Sequence, residues 1–111
     1  MTQLEAFALT LVIEATVAAG LGRALNLSPV GCALAAVAAS TVTHPILWAI
    51  YADTYGYFGA FNIPVLEVAI IAAEAPFYRA LATQRWIDAT LLSLVANAAS
   101  WGAGEVIYAL A

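Results

Sequence analysis

Lysine is missing from this chain, and cysteine, histidine and methionine occur once each. Only Arg23, Arg79 and Arg85 carry a permanent positive charge. A nucleic-acid surface needs a basic stripe, so a nucleic-acid partner is excluded. A lone Cys32 excludes an internal disulfide and any cysteine-based metal cluster. In its alanine-rich surroundings Cys32 reads as a small packing residue. Charged residues make up 9% of the chain, against about 25% in soluble domains. There is no nucleophile elbow, no HExxH and no glycine-rich phosphate loop. An enzyme would have to do its chemistry inside the apolar segments, because the stretches between them are too short to hold a catalytic domain. The N-terminus lacks a positive n-region, and no cleavage site follows the first apolar run. Thr2-Gln3-Leu4-Glu5 reads instead as a capping box, so the first segment is expected to stay in the mature protein.

What the chain has is apolar length. Its 111 residues are 65% hydrophobic, with a mean hydropathy of +0.95. A soluble domain of this size has too much surface to hide that content. The expected class is an all-α integral membrane protein with the lipid bilayer as its surroundings. A spanning helix needs about 20 apolar residues. Four segments meet that length, at about 4–25, 29–50, 63–83 and 87–110, forming one four-helix transmembrane domain over 1–111. Ser28 caps the second helix with Pro29 in its first position. Asn62 is expected to cap the third, with Pro64 in its first turn. The stretch Tyr51 to Asn62 (YADTYGYFGAFN) reads as an aromatic loop at the bilayer interface.

Four spans put Arg23, Arg79 and Arg85 on one side, which the positive-inside rule makes cytoplasmic. Both termini are then outside, as expected for a bacterial or archaeal inner membrane. An offset of sixty residues pairs Glu14-Ala15 with Glu74-Ala75, Leu21 with Leu81, Leu34 with Leu94, and Ala38-Ala39-Ser40 with Ala98-Ala99-Ser100. That pattern reads as two tandem helical hairpins related by a parallel internal repeat. It would bring Glu14 and Glu74 to similar depth.

A charge at the bilayer centre costs roughly 2.5–3.5 kcal/mol, while a leucine returns only about 0.5. Glu14, Glu74 and His44 must therefore face the bundle interior. Glu67 and Glu105 lie toward the outer mouth. Pro45 frees the carbonyl of Thr41 beside His44, and Pro76 frees that of Ala72 beside Glu74. Such breaks are a usual way to build intramembrane sites. Ser93, Asn97 and Ser100 form one polar stripe on the fourth helix, and a mid-membrane amide at Asn97 needs a strong partner, Glu14 or Glu74. Gly31, Ala35 and Ala39, and likewise Ala96, Ser100 and Gly104, form small-residue ridges for helix packing. The expected polar site is thus Glu14, Glu74, His44, Asn97, Glu67 and Glu105. No metal site is legible beyond His44 as a lone candidate ligand, and no cofactor can be named.

A chain of this size, with four spans and a glutamate in the first helix, resembles the small multidrug-resistance exporters. The resemblance rests on size and Glu14, and it implies a carboxylate that exchanges protons for cationic substrates. The third helix (VLEVAIIAAEAPFYR) lacks that family's Trp and Gly pattern, and the one-sided arginines differ from its dual insertion.

Two functions fit these residues. One is proton- or cation-linked transport, or a channel element, acting as a homo-oligomer because four helices rarely enclose a whole pathway. The other is a non-catalytic subunit or assembly factor of a larger membrane complex. In a pigment-binding variant of the latter, Ser40-x-x-x-His44 would present His44 as a magnesium ligand.

Overall fold

The computed structural model describes residues 2–110. Those residues are almost entirely helical, with no strand among them. Helix α1 is Gln3–Ala24, α2 is Pro29–Phe58, α3 is Asn62–Leu81 and α4 is Trp86–Leu110. A 3-10 turn, Gly59–Phe61, joins α2 to α3. From Pro29 to Leu81 one helical element thus follows another without a loop between them, Gly59 alone departing from helical angles, and the described residues form three helical stretches, the middle one bent back on itself.

The first connection follows local chemistry. The Thr2 hydroxyl accepts from the Glu5 amide at 3.1 Å, and the Glu5 carboxylate accepts from the Thr2 amide at 2.9 Å. This is the expected capping box. At the other end Asn26 takes φ of 61°. The Leu27 amide donates to Gly22 O at 2.8 Å and the Asn26 amide to Arg23 O at 3.1 Å. That pair of bonds is a Schellman motif, with Asn in the left-handed position usually held by Gly. Two residues later the Ser28 hydroxyl accepts from the Gly31 amide at 3.1 Å, with Pro29 opening α2.

The aromatic stretch departs from expectation. Tyr51 to Phe58 continues α2 for two more turns, and only Gly59–Ala60–Phe61 forms the turn. None of the residues before Gly59 needs a non-helical backbone. Gly59 alone does, at φ 55°. Asn62 is likewise not a cap. Phe61 precedes α3 with no side-chain cap bond, and the Asn62 amide N–H donates to Gly59 O. Asn62 itself has helical angles, φ −58° and ψ −50°, where a capping residue takes an extended backbone. Asn62 instead donates its side-chain amide to Tyr51 O at 3.2 Å, bracing α2 against α3.

Each helix packs on its chain neighbours, and α1 closes against α4. Among the described residues α1 and α3 do not touch, while α2 and α4 meet across the other diagonal. Short connections make neighbours antiparallel, so the arrangement is an up-down-up-down ring. Inward stripes follow the 3.6-residue period: Glu14, Ala18 and Gly22 on α1; Cys32, Ala35, Ala39 and Thr43 on α2; Leu66, Glu74 and Tyr78 on α3; Ala89, Ser93, Ala96 and Asn97 on α4.

The two halves of the ring differ. The half nearer the three arginines is a dry seal of Ala18, Cys32, Ala35, Ala36, Tyr78, Ala89 and Leu92. Small residues let the backbones close in. A Cβ on Gly22 would run into Cys32 Sγ, and one on Gly31 would lie 3.3 Å from Leu81 O. Of the expected ridges, the one on α2 packs in this way. On α4 only Ala96 is fully buried; Gly104 lies open. The other half, toward the termini, is splayed and polar inside.

Gln3–Ala24 and the bent run Pro29–Leu81 are long and apolar enough to cross a membrane. Large apolar side chains such as Leu4, Val12, Val30, Val68 and Ile87 point outward over much of the surface, while the buried set includes Glu14, Glu74, Asn62, Ser93 and Asn97.

Candidate functional site

A cavity of about 110 Å³ lies between the four helices, above the seal. Glu14 reaches it from α1, Ser40, Thr43 and His44 from α2, Glu67 and Glu74 from α3, and Asn97, Ser100 and Trp101 from α4. Liquid water takes about 30 Å³ per molecule, so the space holds a few waters or a small ion. Drug-sized ligands need about 300–1,000 Å³, and the cavity excludes them.

Glu14 and Glu74 approach from opposite corners of the ring and are each 1% exposed. Their surroundings are unlike. Thr43 Oγ1 donates a short hydrogen bond to Glu74 Oε2. Asn97 Nδ2 donates to Glu74 Oε1 at 2.8 Å and to Ser93 O at 2.8 Å. Ser93 Oγ in turn donates to Ile71 O at 2.8 Å, tying α4 to α3 one turn before Glu74. Glu74 thus has a donor on each oxygen. Glu14 has none: its Oε1 is shut off from solvent and unpartnered, as is the nearby Ser40 Oγ. Ser100, which borders Glu14 from α4, spends its hydroxyl on Asn97 O at 3.1 Å.

His44 is buried, with Nε2 unpartnered and out of solvent contact. Phe7 and Trp48 flank its ring, with centroids 5.1 and 6.1 Å away. No three His, Cys, Asp or Glu side chains converge as a metal-binding group among the described residues.

Five of the six residues expected at the site, Glu14, Glu74, His44, Asn97 and Glu67, line this one cavity. Glu105 does not. It lies exposed on α4, where its carboxylate accepts from Trp101 Nε1 at 3.2 Å and braces the cavity's outer wall. Thr43, Ser40 and Thr10 also line the space. Their signal in the sequence was only that Ser40-Thr41-Val42-Thr43 precedes His44; which hydroxyl faces inward depends on how α2 is rotated against its neighbours.

The cavity opens toward the termini. Leu47, Glu67 and Trp101 are shared with an outer depression of about 380 Å³, whose other walls are Trp48, Tyr51, Ile63 and Leu66. Thr10 and Ser100 are shared with a second, of about 410 Å³, where α1 and α4 part. Toward the arginines, Tyr78 stands one turn below Glu74, fully buried with its hydroxyl unpartnered, and the alanine seal begins there. Two carboxyls thus border one small space. No protein-family model, curated protein or solved structure matches this chain.

Proposed function

We propose that this chain is an integral membrane protein whose helical limbs cross the bilayer four times. In this reading it carries out proton- or cation-linked transport through the Glu14–Glu74 cavity, assembled as a homo-oligomer. The observation that carries the reading is the inverted distribution of polarity. Apolar side chains cover the outside, while two carboxyls, a histidine, an amide and several hydroxyls gather around a cavity that opens at one end. Ionisable groups kept at such cost mark ion or proton pathways. Glu74 is held by Thr43 and Asn97, whereas Glu14 Oε1 has no hydrogen-bond partner. The sixty-residue repeat supports the same reading, because it relates the two diagonal helices that bear the carboxyls.

The test is flux into proteoliposomes, of protons and of alkali cations, for the wild type and the Glu14→Gln/Glu74→Gln double variant. The expected result is a loss of about tenfold or more, since a barrier change of about 1.4 kcal/mol suffices for that. Equal flux from both proteins sinks the reading.

A second reading is a subunit of a larger membrane complex. It draws on the aromatic end, where Tyr57, Phe61 and Tyr108 are 86%, 72% and 83% exposed. Gentle extraction and size-exclusion chromatography separate the two readings: co-elution with larger proteins favours the subunit, and a peak of this chain alone favours transport.

A further inference from the structure

We infer that the Glu14 side of the cavity is a binding site for a single alkali cation of sodium size. The inference deepens the transport reading and rests on it for its meaning, though its test does not. Three observations lead there. First, two oxygens with unmet hydrogen-bonding capacity border this side of the cavity, besides the unpartnered His44 Nε2. Glu14 Oε1 and Ser40 Oγ both lack partners, and each residue is 1% exposed. A buried oxygen left unpaired is costly, and a cation ligated by both would remove that cost. Second, apart from the His44 ring, the Asn97 amide engaged with Glu74 and Ser93, and the Trp101 indole N–H engaged with Glu105, the polar groups of the cavity are oxygen donors: Glu14, Ser40, Ser100, Thr10 and Glu67, beside the Thr43–Glu74 pair. Oxygen donors suit hard cations, while soft and borderline metals prefer thiolate and imidazole. Third, charge and ligand geometry select among hard cations. Magnesium keeps several of its waters and needs near-octahedral ligands, which one carboxylate and scattered hydroxyls do not offer. A monovalent ion makes no such demand, and its single charge matches Glu14, the fully buried carboxylate here with an unpartnered oxygen. Glu74, already supplied with two donors, stays outside this coordination shell and holds the far wall in place.

Thermal unfolding of the purified protein in neutral detergent tests the site. Sodium chloride, potassium chloride and choline chloride are compared at equal ionic strength. A ligand that binds only the folded state raises its stability, so sodium should raise the midpoint by roughly 4–8 °C over choline. Glu14→Gln should abolish the difference. Ser40→Ala should weaken sodium binding several-fold while the carboxyl stays in place, which keeps the test decisive if Glu14→Gln does not fold. Equilibrium dialysis with radioactive sodium should give one ion per chain. Equal midpoints in sodium and choline overturn the inference, as does a sodium response that survives in Glu14→Gln. Failure of the two proposals is distinguishable. Sodium stabilisation through Glu14 without carboxyl-dependent flux keeps the site and removes transport. Carboxyl-dependent proton flux with no sodium response keeps transport and removes the site.

Discussion

Glu14 and Glu74 show how the same residue can be placed twice and used differently. Asn97 and Thr43 saturate Glu74, and Asn97 is itself fixed by Ser93 O. Replacing Asn97 with leucine leaves Glu74 Oε1 without its donor at a buried position. The expected cost is about 1–3 kcal/mol, read as a lower melting midpoint in detergent. A double-mutant cycle of Asn97→Leu with Glu74→Gln should show a coupling of about 0.5–3 kcal/mol; additive effects would mean that the amide and the carboxyl act independently. At this scale the sequence was informative about depth and silent about direction. Counting residues puts Glu14, Glu74, His44 and Asn97 at comparable depth. It cannot say that Thr43, thirty-one residues before Glu74 in the chain, is its partner, because that depends on the rotation of α2 against α3. Nor could it place Glu105, whose carboxylate turns outward to the Trp101 indole and leaves the cavity to others.

At the scale of elements, two glycines near the α2–α3 turn make opposite predictions. Gly59 has φ 55°, a conformation a side chain resists, although a Cβ there meets nothing. Gly59→Ala should destabilise by about 1–3 kcal/mol through backbone strain alone. Gly56 lies in ordinary helix with open space around it, so Gly56→Ala should stabilise by up to about 1 kcal/mol. Both signs can be read from thermal unfolding in detergent. This turn is also where the sequence misled. Two glycines and an aspartate among aromatics resemble a loop, but helix tolerates each of them, and one positive φ suffices to reverse the chain. Elsewhere the ends of helices were legible, because capping is local: Thr2 with Glu5, and Ser28 with Pro29, act within four residues. At the other end of the ring, Gly22 faces Cys32 Sγ. Gly22→Ala should cost about 1–3 kcal/mol by overpacking, and a second change, Cys32→Ala, should recover part of it by removing the sulfur.

For the whole molecule, the transport reading fixes an orientation. Membranes washed in alkaline carbonate should retain the protein. In a Cys32→Ser background, a membrane-impermeant thiol reagent should label Tyr57→Cys in intact cells and Gln84→Cys only after permeabilisation. The reverse pattern would invert the topology, and equal labelling of both from outside would reject a single orientation. Composition alone points to an apolar surrounding for the chain, since that argument is one of area. It could not show that the interior is divided into a wet half and a dry half. That division arises from where small residues let the helices touch, a property of pairs of helices.

The division has an electrical consequence. In the transport reading, water would enter the cavity from the end bearing the termini, so in a polarised membrane the cavity would sit near the potential of that side. From Glu14 to Arg23 is nine residues of helix, roughly 13 Å, packed with alanine, Cys32 and Tyr78. Most of the voltage would drop across that layer. An ion entering the cavity would do little electrical work. The same ion passing Tyr78 would gain or lose about 2.3 kcal/mol for each 100 mV. The membrane potential would thus act on the opening of the seal and hardly at all on occupancy of the site, and the two steps should separate when current and binding are measured against voltage.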